Sequence, residues 1–226
     1  MRRFLVLLLL LPLSAIAALI DRGDSTLDTS SGLEWLDATK TAGLSYSQVV
    51  AGSGGWLTSG WRYATGAELN TLVVNATGAT MNPSLSESTA LPAVETRALI
   101  QQLGSTLDAL YLALYGQTYE EFLNSTGSYG VYHYYTYGLL ADDAVVNGET
   151  GKRLGLIFYY INNNNGDRYI LSTPHYSMKS IDVSDYEFGS FLVRDASSIS
   201  EPASLVLSLL GLTTLAAFRW GGMQAT

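Results

Sequence analysis

The stretch Gly60-Trp61-Arg62-Tyr63-Ala64-Thr65-Gly66-Ala67-Glu68-Leu69 contains a clear signal for the start of a helix. Its first residues lead into a helix, and Trp61 is a large apolar anchor that would hold the helix entry against a core. Thr65 and Glu68 have the spacing of a capping box, which satisfies two free N–H groups at the start of a helix. The apolar residues that follow lie on one helical face: Leu69, Leu72, Val73 and Ala76. This stretch therefore predicts the start of an amphipathic helix.

Three further capping pairs and one leucine stripe predict the remaining helices. The pairs are Ser45 with Gln48, Ser105 with Asp108, and Thr118 with Glu121. The leucines between Pro92 and Tyr115 are three or four residues apart, which indicates one buried helical stripe: Leu99, Leu103, Leu107, Leu110 and Leu114. Gly104-Ser105 favours a division of this stretch into two helices.

The second half of the chain has the pattern of strands. Segments rich in Tyr, Ile, Val and Phe are bounded by turn residues: Val131–Leu139, Leu154–Ile161, Tyr169–Ser172 and Ser190–Arg194. Asn162 to Asp167 favours a hairpin loop. Short strands are also expected at Leu19–Asp21 and Leu33–Leu36. The predicted fold class is α+β, a single domain over 18–199, with several helices mostly in its first half and an antiparallel sheet mostly in its second half.

Three segments resemble a bacterial surface-domain family: Gly32-Leu33-Glu34-Trp35-Leu36-Asp37, the stretch from Gly60 to Leu69, and Gly189-Ser190-Phe191-Leu192-Val193-Arg194. The family has a Trp-Leu strand, a Gly-Trp-Arg-Leu-Pro-Thr segment and an apolar-Val-Arg final strand. Here Tyr63-Ala64 stands in place of Leu-Pro. The family is similar to the C-terminal domain of collagen-like bacterial adhesins and, more distantly, to C-type-lectin-like folds. The resemblance implies a C-type-lectin-like domain whose two ends meet in one sheet.

The same segments predict the core and one ion pair. Nine residues are expected to share one core: Trp35, Trp61, Leu69, Leu72, Leu99, Leu103, Leu107, Phe158 and Phe191. The strand that contains Val193 is expected beside the first strands. Arg62 is expected to pair with a carboxylate such as Glu34 or Asp37 and to stack on an aromatic ring. This interpretation gives the motifs a structural role, and contact with a ligand is the alternative.

The composition excludes several classes of function. The 226 residues contain 12 Lys+Arg and 20 Asp+Glu, and the formal net charge is −8. An acidic chain disfavours nucleic acid as a partner, because binding to phosphates needs clustered cations. The chain has no cysteine, which excludes disulfides, thiolate metal sites and cysteine nucleophiles.

The N-terminal residues predict export. Arg2 and Arg3 precede an apolar stretch over 4–13, and Ser14-Ala15-Ile16-Ala17 follows. A charged region, an apolar region and a small-x-small site are typical of a secretory signal peptide. We therefore expect residues 1–17 to be a signal peptide that is cleaved after Ala17, and an uncleaved anchor is the alternative.

Residues 200–226 combine a short polar motif, an apolar run and a cation. The motif is Ser200-Glu201-Pro202-Ala203-Ser204, the run extends from Leu205 to Phe218, and Arg219 follows. As a helix, the stretch from Pro202 to Trp220 would rise about 28 Å at roughly 1.5 Å per residue, close to a hydrocarbon core of roughly 30 Å. We expect a transmembrane helix over 203–218, and a buried core helix is the alternative.

This tail resembles the PEP-CTERM sorting signal of Gram-negative envelope proteins, with a single arginine where that family has a basic cluster. The resemblance implies recognition by a membrane-embedded sorting enzyme, an exosortase, through these residues: Ser200, Glu201, Pro202, Ala203, Ser204 and Arg219. It also implies a precursor that is anchored in the inner membrane with its domain in the periplasm. Sorting would then place the protein at the cell surface or in the extracellular matrix.

The segment Tyr132-His133-Tyr134-Tyr135-Thr136-Tyr137 is the strongest candidate for a ligand-binding surface. In a strand, His133, Tyr135 and Tyr137 share one face, and Tyr132, Tyr134 and Thr136 share the other. If one face is exposed, its phenol rings would stack on sugar rings while their hydroxyls bond sugar hydroxyls. This pattern predicts an exopolysaccharide as the ligand. Cross-strand pairing of the rings inside the sheet is the alternative.

Motifs for catalysis or metal binding are missing from the sequence. It contains no Gly-x-Ser-x-Gly, His-Glu-x-x-His or glycine-rich phosphate loop, and nothing fixes His133 and His175 as a pair. Asp142-Asp143 and Asn165-Gly166-Asp167 lack the spacing of a calcium-binding loop, so solvated turns are the preferred interpretation. We expect no catalytic residue, cofactor or metal, and hence a non-enzymatic protein. A secreted hydrolase or modifying enzyme with an unrecognised active site is the alternative.

Overall fold

The computed structural model describes residues 19–79, 91–126, 131–146, 148–162, 166–172 and 178–196. The predicted signal peptide over 1–17 and the sorting tail over 200–226 lie outside the described residues. Within the described residues, no helix is long and apolar enough to cross a membrane. The described residues up to Arg194 belong to one compact unit.

The described parts contain five α-helices and ten strands. The helices are α1 (Tyr46–Val50), α2 (Gly66–Thr77), α3 (Ala93–Leu103), α4 (Thr106–Tyr115) and α5 (Tyr119–Thr126). The strands are β1 (Leu19–Asp21), β2 (Ser25–Asp28), β3 (Leu33–Leu36), β4 (Arg62–Tyr63), β5 (Val131–Val146), β6 (Glu149–Asn162), β7 (Gly166–Ser172), β8 (Met178–Lys179), β9 (Gly189–Ser190) and β10 (Leu192–Asp195). The predicted α+β class with several helices is confirmed.

The strands form two sheets rather than the one expected. The first sheet has the order β1-β2-β3-β10-β4, so the last strand lies between strands from the start of the domain. This confirms that the two ends of the domain meet in one sheet, with Val193 beside the first strands. The second sheet has the order β7-β6-β5-β9, and β8 also pairs with β6. Its long pairs are antiparallel, whereas β5 and β9 are parallel.

The helices begin where the capping pairs predict. The Thr65 hydroxyl accepts from the Glu68 N–H at 3.2 Å, and a Glu68 carboxylate oxygen accepts from the Thr65 N–H at 2.8 Å. Ser45 and Gln48 make the same reciprocal bonds at the start of α1. Gly104, with φ +78°, separates α3 from α4 as expected. These bonds satisfy N–H groups that the first turn of a helix leaves without partners.

The aspartates Asp142 and Asp143 lie inside β5, so the turn predicted there is wrong. The pairing of β5 with β6 shifts register between Leu139 and Asp143, which indicates a bulge. Asp142 accepts from the Gly66 N–H at 2.6 Å, and Asp143 forms a salt bridge with Lys152 at 2.7 Å. Because distant partners satisfy both carboxylates, the strand continues through a sequence that is typical of a turn.

The hydrophobic residues form two clusters. Trp35, Phe191 and the leucines of α2 and α3 form the larger one, which lies against Tyr134 and Ile157 of the second sheet. Trp61 is buried in the second cluster, so the prediction of a single core is wrong in that respect. Phe158 is only half-buried, because it faces Tyr135 on the side of the sheet opposite Tyr134. The other predicted core residues are buried.

Candidate functional site

The tyrosine-rich part of β5 has the predicted alternation of faces. The guanidinium of Arg97, on α3, lies 5.4 Å from the ring centroid of Tyr134, and the Thr136 hydroxyl donates to the Gly104 carbonyl at 2.8 Å. These two side chains therefore face the helices. On the other face, the rings of Tyr135 and Tyr137 have centroids 4.7 Å apart.

The rings of Tyr134 and Tyr135 do not form an open surface for stacking on sugars. Only 8% of Tyr134 and 9% of Tyr135 is exposed. Tyr134 lies opposite Tyr159 and Tyr135 lies opposite Phe158, with ring centroids 5.8 and 6.4 Å apart. For these residues the structure shows cross-strand pairing inside the sheet.

The other residues of the predicted ligand-binding surface are either partly buried or outside what the structure describes. His133 and Tyr137 are half-buried, and burial lowers the pKa of His133. The side chain of Tyr132 and the whole of His175 lie outside what the structure describes. These tyrosines therefore do not form the predicted platform for stacking on sugars. Tyr134 instead has a buried ring and lines a pocket.

A polar pocket lies where α3, α4 and α5 meet β5, and Tyr134 is one of its walls. Its volume is about 190 Å³. The lining residues come from all four elements and from the turn between α3 and α4: Arg97, Ile100, Gln101, Ser105, Asp108, Glu120 and Tyr134. Six of these seven side chains carry a hydrogen-bonding group. The pocket therefore suits a small polar ligand.

The local folding of the helices positions these polar groups. Ser105 caps α4 by accepting from the Asp108 N–H at 3.3 Å, and Asp108 accepts in turn from the Tyr119 N–H at 3.0 Å. The second bond holds the start of α5 against α4. Glu120, the second residue of α5, accepts from the Tyr134 hydroxyl at 3.4 Å. The two carboxylates and the phenol therefore converge from three elements.

Burial raises the pKa of Tyr134 to about 12, and the negative charge of Glu120 acts in the same direction. The phenol consequently stays protonated at neutral pH and remains a hydrogen-bond donor. The Arg97 guanidinium covers its ring, which is a cation–π contact. These features make the Tyr134 hydroxyl a fixed polar group at the wall of the pocket.

Apart from Tyr134, the sequence did not identify the lining of this pocket. Arg97, Gln101 and Ser105 follow one another at intervals of four residues. This spacing places Arg97 and Gln101 on one face of α3, and Ser105 extends the row into the turn after that helix. That spacing is the signal that could have indicated a polar wall. The leucines of the same helix were the stronger pattern, and Asp108 was interpreted only as part of a cap.

The motif arginines have partners other than those predicted. Arg62 forms a salt bridge with Glu68 at 2.6 Å, so its expected pairing with Glu34 or Asp37 is wrong. Arg194 pairs with Glu34 instead, at 2.8 Å, and its guanidinium lies 4.4 Å from the Trp61 ring centroid. The reason is topological, since β10 lies next to β3. These motifs contact each other in the structure.

Asp37 is a further acidic residue with unusual surroundings. Burial raises its pKa to about 6, and the charges of Asp21 and Asp24 add to this effect. Within the described structure its Oδ1 atom is buried without a hydrogen-bond partner. Even so, the described residues include no group of three or more His, Asp or Glu side chains that could hold a metal ion. Asn165 lies outside the described residues.

Comparisons with known proteins do not add a relationship. No family model, no curated protein and no solved structure matches this chain. The resemblances of the tail and of the domain ends therefore remain expectations from the sequence. The geometry of the pocket is the observation from which a function can be proposed.

Proposed function

We propose that this chain is an exported envelope or extracellular-matrix protein that binds a polysaccharide without catalysing a reaction. The pocket between α3, α4, α5 and β5 is the binding site. The observation that carries the proposal is the convergence of a guanidinium, a carboxamide, two carboxylates and a phenol around one small cavity. Neighbouring sugar hydroxyls both donate and accept hydrogen bonds, and such a mixed set of partners matches them.

The size of the pocket limits what it can hold. A cavity of about 190 Å³ is smaller than the roughly 300–1,000 Å³ typical of sites for drug-sized ligands. It suits one sugar ring, such as the end of a chain or a branch. Because Arg97 covers the Tyr134 ring, recognition would depend on hydrogen bonds at the edge of the ring rather than on stacking.

The sequence at both ends supports a location where polysaccharide is found. The expected signal peptide over 1–17 would direct export, and the tail resembles a PEP-CTERM signal in which Glu201-Pro202 precedes the apolar run. An exosortase and, transiently, the inner membrane would be the partners during sorting. A polysaccharide ligand is consistent with the net charge of −8, which disfavours nucleic acid.

A glycan array tests the proposal when two matched variants of the full chain are compared. Tyr134→Phe and Tyr135→Phe each remove one hydroxyl from a buried ring, and each hydroxyl is bonded to a glutamate. Only Tyr134 lines the pocket. We expect Tyr134→Phe to weaken binding by about threefold to tenfold, the value of one hydrogen bond, and Tyr135→Phe to leave it unchanged. Equal effects of the two variants, or no glycan bound by the wild type, would overturn the proposal.

A further inference from the structure

The electrostatics of the pocket indicate which sugars it selects. We infer that the ligand carries a free amino group, as a glucosamine-type unit does, and that Asp108 and Glu120 hold its ammonium. This inference rests on the proposed function and deepens it. It excludes uronic acids and sulfated sugars, whose charge has the opposite sign.

The first argument is the balance of charge in the lining. It contains two carboxylates, Asp108 and Glu120, and one guanidinium, Arg97. The guanidinium lies over the Tyr134 ring. Among the described residues, neither carboxylate forms a salt bridge. Within the described part of the chain, the lining therefore carries one more negative than positive charge, and neither carboxylate has a salt-bridge partner.

The second argument is the acceptor capacity that the two carboxylates retain. Asp108 accepts from the Tyr119 N–H at 3.0 Å through Oδ1, and Glu120 accepts from the Tyr134 hydroxyl at 3.4 Å through Oε2. A carboxylate has about four acceptor positions, and an ammonium has three donors and no acceptor. An ammonium placed between these groups would form charge-assisted hydrogen bonds, which are roughly twice as strong as neutral ones.

The third argument is the charge of the whole chain. Its net charge of −8 repels anionic polymers and attracts cationic ones before they reach the pocket. Gln101 and Ser105 then supply groups of both hydrogen-bonding types for the neighbouring hydroxyls. The pocket thus combines attraction for a cationic group with hydrogen-bonding groups for the neighbouring sugar hydroxyls.

Calorimetric titration of the full chain, purified in detergent, tests the inference. The two probes are a short glucosamine oligomer and the same oligomer with every amine acetylated, at a pH where the free amine is protonated. We expect the wild type to bind the free amine at least about tenfold more tightly, because a hydrogen bond to a charged group is worth about 1.5–3 kcal/mol. This preference should weaken as salt is added.

Three variants separate the pocket from general attraction to an acidic protein. Glu120→Gln changes an exposed side chain, and Asp108→Asn keeps the oxygen that accepts from Tyr119. Each should reduce the preference for the free amine. Glu149→Gln removes the same charge from the exposed start of β6 and should not change it.

The outcomes distinguish this inference from the proposed function. Equal binding of both oligomers, with the Tyr134→Phe variant still weaker, would overturn the inference and leave the proposed function intact. The inference would also be overturned if Glu149→Gln reduced the preference for the free amine as much as Glu120→Gln and Asp108→Asn do. The attraction would then depend on the overall charge of the protein and not on the pocket. Failure of every glycan to bind would overturn the proposed function as well.

Discussion

Glu34 is a buried charge that connects the two ends of the domain. Only 2% of its side chain is exposed. It accepts from the Ser25 hydroxyl at 2.6 Å and from Arg194 Nε at 2.8 Å, and Arg22 lies 3.6 Å away. Burial alone would raise the pKa of Glu34, but the hydrogen bonds and the two arginine charges outweigh it and lower the pKa.

Replacing Arg194 should therefore destabilise the domain strongly. We expect Arg194→Ala to lower the free energy of unfolding by about 3–5 kcal/mol, because it leaves a buried carboxylate without its main partner. Arg62→Ala is the control, since Arg62 lies on the adjacent strand β4 and its pair with Glu68 is more exposed. Its cost should be about 0–1 kcal/mol. Urea denaturation at neutral pH measures both values.

The pH dependence provides a second check on Arg194→Ala. Since the pKa of Glu34 is lowered in the folded state, its contribution to stability is present above the ordinary value of 4.5 and is lost as the pH falls through the folded value. The difference between wild type and Arg194→Ala should therefore shrink in acid. Similar costs for Arg194→Ala and Arg62→Ala at neutral pH would contradict this account.

Two glycines of the second sheet leave space for Phe191, which lies between β9 and β10. Gly138 of β5 lies directly opposite Gly155 of β6. A Cβ atom at Gly138 would lie 2.5 Å from the Phe191 ring, and one at Gly155 would lie 2.6 Å from Leu69. Both distances are too short for a real contact. The two missing side chains make room for Phe191, which is completely buried.

Gly138→Ala should consequently overpack this site. We expect a loss of about 1–3 kcal/mol in the free energy of unfolding, the usual cost of an added methyl in a filled core. Phe191→Leu removes part of the ring that the new methyl would contact. The variant with both changes should therefore lose less free energy of unfolding than the sum of the losses in the two single variants. Additive losses in urea denaturation would show that the Gly138 contact with Phe191 does not determine the packing.

At the scale of the whole molecule, the tail makes the strongest prediction about location. If residues 203–218 span the inner membrane, each charge at the centre costs roughly 2.5–3.5 kcal/mol. In the precursor, before any sorting cleavage, Leu210→Asp should then release the domain from the membrane fraction, and Leu210→Ala should not. Fractionation of the native host, with the intact mass of the mature chain, measures this. Equal membrane fractions of the uncleaved precursor for the two variants would contradict the anchor.

The same experiment tests the sorting motif. Replacing Glu201-Pro202 with Ala-Ala should keep the protein in the membrane fraction, because an exosortase would no longer recognise its site. The mature wild-type chain should then lack the apolar run, and the variant should retain it. A surface-exposed wild-type product that still contains residues 205–226 would show a plain anchor rather than a sorting signal.

Features that depend on neighbours within a few residues could be predicted from the sequence. The capping pairs predicted the starts of α1, α2 and α4, because those hydrogen bonds join residues three positions apart. The break at Gly104 followed from the same local chemistry. Period-two and leucine patterns predicted β5, β6 and the burial of Leu99, Leu103 and Leu107. The predicted stripe is wrong at its end, because Leu114 in α4 is 61% exposed and Leu110 is only partly buried. The resemblance of the motifs at the two domain ends correctly implied that those ends share a sheet.

Contacts between side chains that are distant in the sequence depend on how the elements pack. Glu34 and Arg194 are 160 positions apart, and no local pattern distinguishes Arg194 from Arg62 as the partner. The pocket depends on Arg97, Asp108 and Glu120 arriving from three helices at Tyr134. Helix packing and sheet order set those distances. The sequence could therefore propose a polysaccharide ligand through Tyr134, but the burial of its ring and the pocket at its hydroxyl follow from packing alone.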